Sequence, residues 1–341
     1  MRIWKRALAV LLALFCLISV LCACGNERQE QKVIGTCAGF DVLYEELRYL
    51  TLTYKDIFED TYGEGIWDNP ETAEKYRAEL EETVFRLILN NYAALRACQH
   101  YMGEEETKKA MKDQDIRASV DAQIQEVKQS YGSKGAFKDA MKENHLTEHF
   151  WRFTLTVAQL ENELYYVLTD DLGLIEKDHE AFYNWLRDGN SVYVQHIFVE
   201  NNKGEDKEAN RQKAEQIRDT LISSADPAAL VLTLANDSNT DEDYYNVDPY
   251  YIVRDVYTEE VEEAAFSLSG IGSVSDVVEV ETGFYVLVQV ADEEPTLLSK
   301  TPSLLYSYQW AKLEAIIEGF KSEIQLELNE YGKSIDLLAI R

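Results

Sequence analysis

A histidine inside an apolar segment is the first residue of this chain whose type and position could support chemistry. His196 stands in the run Tyr193-Val194-Gln195-His196-Ile197-Phe198-Val199, where both alternating sets of positions contain apolar side chains. This pattern predicts a β-strand that is buried on both faces. Two interpretations of His196 stay open: a core histidine whose ring is satisfied by its neighbours, or a functional group that titrates near neutral pH.

Other potential metal ligands have simpler explanations. The run His145-Leu146-Thr147-Glu148-His149 spells H-x-x-E-H, a motif in which one helical face would carry both histidines on zinc. Thr147 is better explained as a helix N-cap, which places His145 outside the helix, so we expect no zinc site there. The acidic stretch over residues 237–243 lacks the glycine and final glutamate of an EF-hand and is typical of a solvated loop. The sequence therefore predicts no metal and no cofactor.

The first residues predict export and lipid attachment. Lys5 and Arg6 precede an apolar run from Ala7 to Val20. This run is shorter than the roughly 20 residues that a spanning helix needs, so we interpret residues 1–23 as a signal peptide. The following Ala23-Cys24 resembles a lipobox, which implies cleavage before Cys24 and lipidation of its thiol; the alternative is an uncleaved anchor helix. Both place the mature protein on the extracytoplasmic face of the bacterial cell membrane. Residues 24–32 are polar, and we expect a short tether.

The chain is strongly acidic, with 62 acidic against 33 basic residues and a net charge of −29. Removal of residues 1–23 takes away basic residues and no acidic one, so the mature protein would be more acidic still. Such a field repels nucleic acid and anionic lipid, so we expect no nucleic-acid partner. Membrane attachment must then come from acyl chains on Cys24. Cys37 and Cys98 remain, and either a disulfide or two separate buried thiols fits their spacing.

Helical periodicity dominates both ends of the mature chain. Asn69-Pro70 supplies an N-cap and a first-turn proline, and apolar residues then recur at helical spacing. A second apolar stripe runs from Ile116 to Tyr131, a third helix follows Thr147, and a last one spans Tyr306 to Leu328. The last helix has no local partner, so we expect it to dock on the N-terminal helices.

The pattern changes period at Asp188-Gly189-Asn190. After the strand around His196 come two helices, the second capped by Asp226-Pro227, then a short helix after Thr258 and a closing strand over residues 284–290. The sequence therefore predicts an α+β protein. A mainly helical domain would be built from both chain ends, residues 33–187 and 296–341, with a small α+β domain inserted at residues 188–295.

Three segments of the inserted domain together resemble the parvulin family of peptidyl-prolyl isomerases. They are Tyr193–Val199, Val261–Leu268 and Thr282–Leu287, in that order over about 100 residues. The flanking helical regions, including Val33-Ile34-Gly35 before an acidic helix start, are similar to the chaperone region of the PrsA and SurA foldases. The resemblance implies a parvulin fold, although a fold does not by itself determine a function.

The resemblance also implies roles for individual residues. The family's first active-site histidine falls on His196, whereas its second falls on Tyr285. The proline-pocket positions, usually a methionine or leucine and a phenylalanine in the family, fall on Tyr257 and Val261. The family's active-site aspartate or cysteine falls near Asn239 and Thr240, and residues 246–250 replace its glycine-rich turn. The missing second histidine implies an eroded active site. The expected catalytic residues are His196, Tyr285 and Thr240, and the expected substrate-binding residues are Tyr257, Val261 and Phe266.

These implications point to a protein-folding factor of the cell envelope that binds unfolded or nascent secreted proteins. X-Pro bonds isomerise over tens to hundreds of seconds across a barrier of about 18–20 kcal/mol, so an isomerase would speed folding. The alternative is a non-catalytic holdase whose parvulin domain only binds clients. A solute-binding lipoprotein would need two α/β lobes, which the helical pattern of residues 33–187 argues against. A homodimer is compatible with both remaining functions.

Overall fold

Two compact units make up the chain in a computed structural model, which describes residues 31–201, 206–245, 247–292 and 294–341. The first unit extends to Leu174 and resumes at Leu313, and the second comprises Ile175–Lys312. A helical unit completed by both chain ends, together with a smaller α+β unit, confirms the predicted fold class. Within the described ranges, no helix is long and apolar enough to cross a bilayer.

The elements follow one another along the chain with short connections. In order, the described residues form β1 (Val33–Cys37), β2 (Phe40–Leu43), α1 (Tyr44–Tyr62), α2 (Pro70–Met102), α3 (Glu104–Ala110), α4 (Gln114–Ser130), α5 (Lys134–Glu143), α6 (Glu148–Tyr166), α7 (His179–Trp185), β3 (Ser191–Glu200), α8 (Lys207–Ser223), α9 (Pro227–Ser238), β4 (Tyr250–Val253), α10 (Glu259–Phe266), β5 (Val278–Val280), β6 (Gly283–Gln289), α11 (Glu294–Gly319), β7 (Glu327–Leu328) and α12 (Glu330–Lys333).

Local signals account for the helices of the first unit. The Asn69 side chain accepts a hydrogen bond from the Glu71 N–H at 3.0 Å, directly before Pro70. The Thr147 hydroxyl accepts one from the Phe150 N–H at 3.0 Å, which confirms Thr147 as the N-cap of α6. The buried side of α2 carries large apolar residues, each contributing about 1.5–3 kcal/mol on burial. They include Leu80, Val84, Ile88, Tyr92 and Leu95.

A small antiparallel sheet of order β2-β1-β7 joins the two ends of the first unit. Ala38 and Gly39 form the turn between β1 and β2, with φ values of 51° and 79°. Positive φ at both central residues suits the twist of a two-residue hairpin. On its other edge β1 pairs with β7, with Gly35 opposite Leu328. The local sequence pattern did not predict this sheet, because one of its strands is at the far end of the chain.

The last long helix ends earlier than the apolar periodicity predicted. The expected end near Leu328 is wrong, since α11 stops at Gly319 and residues 320–323 form a tight turn. Ile324 is extended, with φ −124° and ψ 153°, and Leu328 lies in β7. Pairing with β1 satisfies the backbone of this segment, so a tertiary contact overrides the local helical pattern.

The second unit is built on an antiparallel sheet of order β4-β3-β6-β5. Ile197 and Val199 of β3 pack with apolar residues of α8 and α9. Val194 and Phe198, on the opposite face of β3, pack with Val261 of α10. The two-sided burial predicted for this strand is therefore confirmed. The neighbouring strands β4 and β5 were not predicted, because each contains four residues or fewer.

The second unit is wider than the inserted domain expected at residues 188–295. Phe182 of α7 and Leu186 form one buried cluster with Tyr251 of β4 and with Leu297 and Leu305 of α11. Helix α7 and the first part of α11 therefore share a core with the sheet. This cluster explains why the compact unit begins at Ile175 and ends at Lys312.

Both cysteines of the described chain are free. Cys37 on β1 and Cys98 on α2 are buried, as in the two-thiol alternative. Burial raises the pKa of each thiol to about 12. A thiol of such high pKa is protonated and unreactive at neutral pH. Cys24, the expected signal peptide and most of the expected tether lie outside the described residues.

Candidate active site

His196 occupies the centre of the sheet in the second unit. It lies on β3 opposite Leu287 of β6, and its side chain is 1% exposed. Within the described part of the chain, neither ring nitrogen of His196 has a hydrogen-bond partner. Burial lowers the pKa of His196 to about 4, so the imidazole is neutral at pH 7. A neutral imidazole offers one donor and one acceptor, and here both are unused.

Three tyrosine rings surround His196. Tyr285 of β6 and Tyr250 of β4 lie with ring centroids 5.4 Å from the imidazole, and Tyr244 lies at 5.0 Å. All three rings are tilted steeply against the imidazole, in the edge-to-face geometry that aromatic quadrupoles favour. Phe198 extends the cluster, with its centroid 4.5 Å from Tyr285. The histidine is therefore enclosed by aromatic rings.

A pair of hydroxyl groups forms the polar part of this cluster. The Tyr285 hydroxyl donates to the Tyr244 hydroxyl at 2.8 Å. Burial is the largest cause of the raised pKa of Tyr285, and the contact with Tyr244 adds to it. The pKa of Tyr244 is also raised by burial, with smaller contributions from Asp241 and Asp243. Both hydroxyls are therefore neutral hydrogen-bonding groups at physiological pH.

The expected substrate-binding residues lie in the apolar cluster next to this pair. Val261, which is 7% exposed, packs with Phe198 and Tyr285, and Tyr257 and Phe266 pack against the same cluster. The Glu262 carboxylate accepts the N–H groups of Val256 and Tyr257 at 2.9 Å each, which fixes the start of α10. The Tyr257 hydroxyl donates to the Tyr251 carbonyl at 3.2 Å. The structure thus brings His196, Tyr285, Tyr257, Val261 and Phe266 together.

Thr240 has a different environment from the other expected site residues. Its hydroxyl accepts the Glu200 N–H at 2.6 Å, and its own N–H donates to the Phe198 carbonyl at 3.0 Å. The neighbouring Asn239 side chain accepts the Phe198 N–H at 2.6 Å. Both residues therefore extend the edge of β3 beyond the point where β4 ends. These contacts give Thr240 a role in the backbone of the site and not in its ring cluster.

Glycine at position 283 explains part of the third motif. A Cβ atom on Gly283 would overlap the Val199 carbonyl oxygen and approach the Phe198 ring to 2.7 Å. Glycine therefore allows β6 to lie close to β3 at the end where Tyr285 is presented.

Tyr244 and Tyr250 are site residues that were not predicted from the sequence. They belong to two tyrosine doublets. Tyr244-Tyr245 directly precedes the segment that replaces the family's glycine-rich turn, and Tyr250-Tyr251 begins at its last residue. The doublets were a usable signal, because large aromatic side chains are unusual where the chain must turn tightly.

The H-x-x-E-H residues make ordinary contacts in the first unit. His145 has φ 55° and lies outside the helix, with its Nε2 atom 2.9 Å from Asp56. His149 contacts Glu45 of α1 through its Nδ1 atom. Among the residues that the structure describes, no group of three or more histidines, cysteines and acidic residues is placed to hold a metal ion.

Part of the second unit matches a known family. Residues 196–291 match the family model described as Rotamase, PPIC-type PPIASE domain. The sheet with His196 at its centre, covered by α8 and α9 on one face and α10 on the other, is therefore a parvulin-type domain.

About half of the chain is similar in sequence to a PrsA foldase. It is 26% identical over 192 residues to "Foldase protein PrsA" of Staphylococcus aureus (strain MRSA252), over 54% of this chain and 55% of that protein. The match thus spans about half the length of this relative. Among solved structures, PrsA from Streptococcus pneumoniae is 19% identical with a TM-score of 0.36 over 73% of this chain and 86% of its own. PrsA from Bacillus anthracis is 18% identical with a TM-score of 0.35, over 70% of this chain and 96% of its own.

Proposed function

We propose that this protein is an extracytoplasmic folding factor that binds unfolded or nascent secreted proteins and isomerises their X-Pro bonds slowly. The family match over residues 196–291 carries the proposal, since that domain type is described as a peptidyl-prolyl isomerase. The similarity to PrsA supports a folding role for the whole chain. The proposal includes a lipid anchor at Cys24, which lies outside the described residues.

The chemistry needs no cofactor and no nucleophile. Rotation about an X-Pro bond passes through a twisted amide, which is stabilised by an apolar surface for the proline ring and by fixed polar groups around the carbonyl. Val261, Tyr257 and Phe266 supply apolar surface beside the Tyr285 hydroxyl. The neutral imidazole of His196 lies beneath this surface and packs against the Tyr285 ring. These groups can hold a strained amide without exchanging a proton with it.

Two features support slow turnover. Tyr285 stands where the family has a second histidine, and Val261 offers less surface to a proline ring than the family's phenylalanine. We expect isomerisation of a proline peptide about ten- to a hundredfold below that of an intact parvulin, which is about 1.4–2.8 kcal/mol of transition-state stabilisation. The measurement is protease-free NMR exchange on a proline tetrapeptide, beside an aggregation-suppression assay on an unfolded client.

Restoring the family residues tests the cause of the slow turnover. Tyr285→His, alone and with Val261→Phe, should raise turnover and leave aggregation suppression unchanged. Tyr285→His is the cleaner variant, because Val261 is 7% exposed and a larger side chain there must be accommodated by the core. Tyr306→His, at a 59% exposed position of α11, is the matched control. If the wild-type protein already isomerises proline peptides as fast as an intact parvulin, the changes at positions 285 and 261 do not impair the active site.

The second candidate function is a holdase without catalysis. The observation that favours it is the 1% exposure of His196 under three tyrosine rings, because a client cannot reach a buried imidazole. A holdase would suppress aggregation in the assay above while Tyr285→His and Val261→Phe leave the isomerisation rate at the uncatalysed level.

A further inference from the structure

We propose that Tyr244 covers His196 in the resting protein and occupies the place of a client's aromatic side chain, so that the site selects X-Pro segments with an aromatic residue next to the proline. The selection of clients rests on the proposed function. The covering of His196 by Tyr244 does not rest on the proposed function, because solvent access to an imidazole is measured without turnover.

The three rings around His196 are held in different ways. Tyr250 and Tyr285 lie in β4 and β6, the two strands paired with β3, so the sheet fixes them. Tyr244 lies in a short helical turn at residues 242–244, outside the sheet. Its backbone is held by its own N–H, which donates to the Asp241 carbonyl at 3.0 Å, and by Asn239, whose side-chain amide donates to the Tyr244 carbonyl at 2.6 Å. Tyr244 is therefore the ring that can move without breaking strand pairing.

The Tyr244 side chain makes the contacts that the aromatic side chain of a bound client would make. Its ring centroid lies 5.0 Å from His196 and 4.8 Å from Phe198, and its hydroxyl accepts from Tyr285 at 2.8 Å. Its ring also lies edge-to-face with Tyr285, at a centroid distance of 5.8 Å. A client side chain that displaces it must therefore replace three ring contacts and the hydrogen bond from Tyr285. Tyrosine can replace all four, phenylalanine replaces the ring contacts, and an aliphatic side chain replaces none of the edge-to-face geometry.

The unused nitrogens of His196 indicate that the closed site is incomplete. A buried polar group without a partner is destabilising, and native proteins leave few of them. Both nitrogens of His196 are in this state among the described residues, although the side chain is 1% exposed. Once Tyr244 moves, a client carbonyl can accept from the N–H of His196, or a client N–H outside the X-Pro bond can donate to its other nitrogen. Movement of Tyr244 therefore replaces its contact with His196 by a contact between His196 and the client peptide.

The charges beside Tyr244 narrow the choice of client further. Asp241 caps its turn and Asp243 lies within it. Burial is the largest cause of the raised pKa of Tyr244, and Asp241, Asp243 and Glu200 add to it. An acidic residue entering the same place would be repelled by these carboxylates. Aromatic side chains should therefore bind best, aliphatic ones less well and glutamate worst.

The first experiment measures access to His196 in the full-length protein. We expect the His196 pKa, followed by NMR of its ring protons, to rise from about 4 in the wild type toward the ordinary value of 6.5 in Tyr244→Ala. Tyr245→Ala is the matched control, since Tyr245 is 53% exposed and adjacent in sequence, and it should leave the pKa unchanged. If a folded Tyr244→Ala protein keeps the low pKa of His196, the proposal that Tyr244 covers His196 is wrong.

A milder variant keeps the proposal testable if Tyr244→Ala fails to fold. Tyr244→Phe retains the ring and removes the hydrogen bond from Tyr285. Loss of one such bond should raise the open fraction by about two- to tenfold. The rate at which diethylpyrocarbonate modifies His196 reports this fraction, with the assignment made by peptide mapping. An unchanged rate in Tyr244→Phe contradicts the proposal.

The second experiment tests the client. Proline tetrapeptides are titrated into wild-type protein and binding is followed by NMR shifts. The peptides differ only in one residue next to the proline, which is tyrosine, phenylalanine, leucine or glutamate. We expect tyrosine peptides to bind about tenfold more tightly than leucine peptides, and glutamate peptides to bind most weakly. Equal affinities overturn the aromatic selection. Selective binding without any turnover would contradict the isomerase proposal and support aromatic selection by the site. Turnover with unselective binding would support the isomerase proposal and contradict aromatic selection.

Discussion

Glu45 and Glu46, adjacent in the first turn of α1, are both 2% exposed. Glu45 contacts His149 and Thr147, whereas Glu46 accepts hydrogen bonds from Tyr92 at 2.9 Å and from the Asn91 side chain at 3.3 Å. The Tyr92 hydroxyl also lies 3.2 Å from the Asp41 carbonyl. One hydroxyl proton serves two acceptors, so a proton on Glu46 lets Tyr92 donate to Asp41.

The titration of Glu46 should make the stability of the first unit depend on pH. Burial raises its pKa from 4.5 to about 7, with Glu45 adding to the rise and Tyr92 and Asn91 opposing it. Because the folded-state pKa is the higher one, the proton stabilises the fold. This stabilisation is fully present below about pH 4.5 and is lost as the pH rises through about 7.

We expect Glu46→Gln to remove most of this pH dependence. In the wild type, the free energy of unfolding should fall by about 2–3 kcal/mol between pH 5 and pH 8 from this group alone. Urea midpoints from far-ultraviolet circular dichroism at both pH values measure the effect. Glu82→Gln, at an exposed position of α2, is the control and should behave as the wild type. Equal pH slopes for Glu46→Gln and the wild type would rule out Glu46 as the source.

At the scale of elements, two glycines near the C-terminus offer a matched comparison. A Cβ on Gly332 of α12 would overlap the Ile34 carbonyl oxygen of β1, whereas a Cβ on Gly319 at the end of α11 meets nothing within 4 Å. Gly332→Ala must therefore push α12 away from β1, and Gly319→Ala fills open space at a helical position.

We expect Gly332→Ala to destabilise the first unit by about 1–3 kcal/mol, which is typical of a forced shift in a packed region. Gly319→Ala should be neutral or stabilising by up to about 1 kcal/mol, since alanine favours helix. Urea denaturation of both variants measures the difference. If Gly332→Ala is as stable as Gly319→Ala, the contact of α12 with β1 contributes little.

The sequence was sufficient where one segment carries its own signal. Asn69-Pro70, Thr147 and the apolar alternation around His196 each predicted an element that the structure contains. The β2-β1-β7 sheet was missed because its register depends on a partner near residue 328. The ring cluster was found in part, because Tyr285 lies in a motif whereas Tyr244 reaches His196 from a loop. Contacts between distant segments are set by packing, which no local pattern encodes.

At the scale of the whole molecule, the C-terminal region is divided between the two units, with residues up to 312 in the second unit and residues 313–341 in the first. Leu305 belongs to a buried cluster of the second unit, whereas Leu313, Ile317 and Phe320 are buried residues of the first. A deletion of residues 301–341 would therefore damage both units. A deletion that begins at residue 313 removes material from the first unit alone.

We expect deletion of residues 313–341 to destabilise the first unit by several kcal/mol, since each large buried side chain contributes about 1.5–3 kcal/mol. Hydrogen exchange should show lost protection in α1 and α2 and unchanged protection in β3 and β6. The deletion of residues 301–341 serves as the comparison and should also reduce protection in β4. Unchanged protection of α1 and α2 in the shorter deletion would contradict the shared unit.

The anchor is a separate prediction about the whole molecule. Cys24→Ala should release the protein from the membrane or leave an unprocessed precursor, because the mature acidic surface has no affinity of its own for anionic lipid. Fractionation of cells and the apparent mass of the product measure this. A processed Cys24→Ala protein that stays on the membrane would show that another segment holds it there.

The pairing of β1 with β7 also constrains when the protein can fold. Strand β1 is synthesised first among the described elements, yet its partner near Leu328 is synthesised almost last. The second unit is one continuous stretch, residues 175–312, and it can close before the last residues of the chain are added. Its closure shortens the loop that β1 and β7 must bridge, which lowers the entropic cost of their pairing. We therefore expect the helical unit to be the last part of this chain to fold.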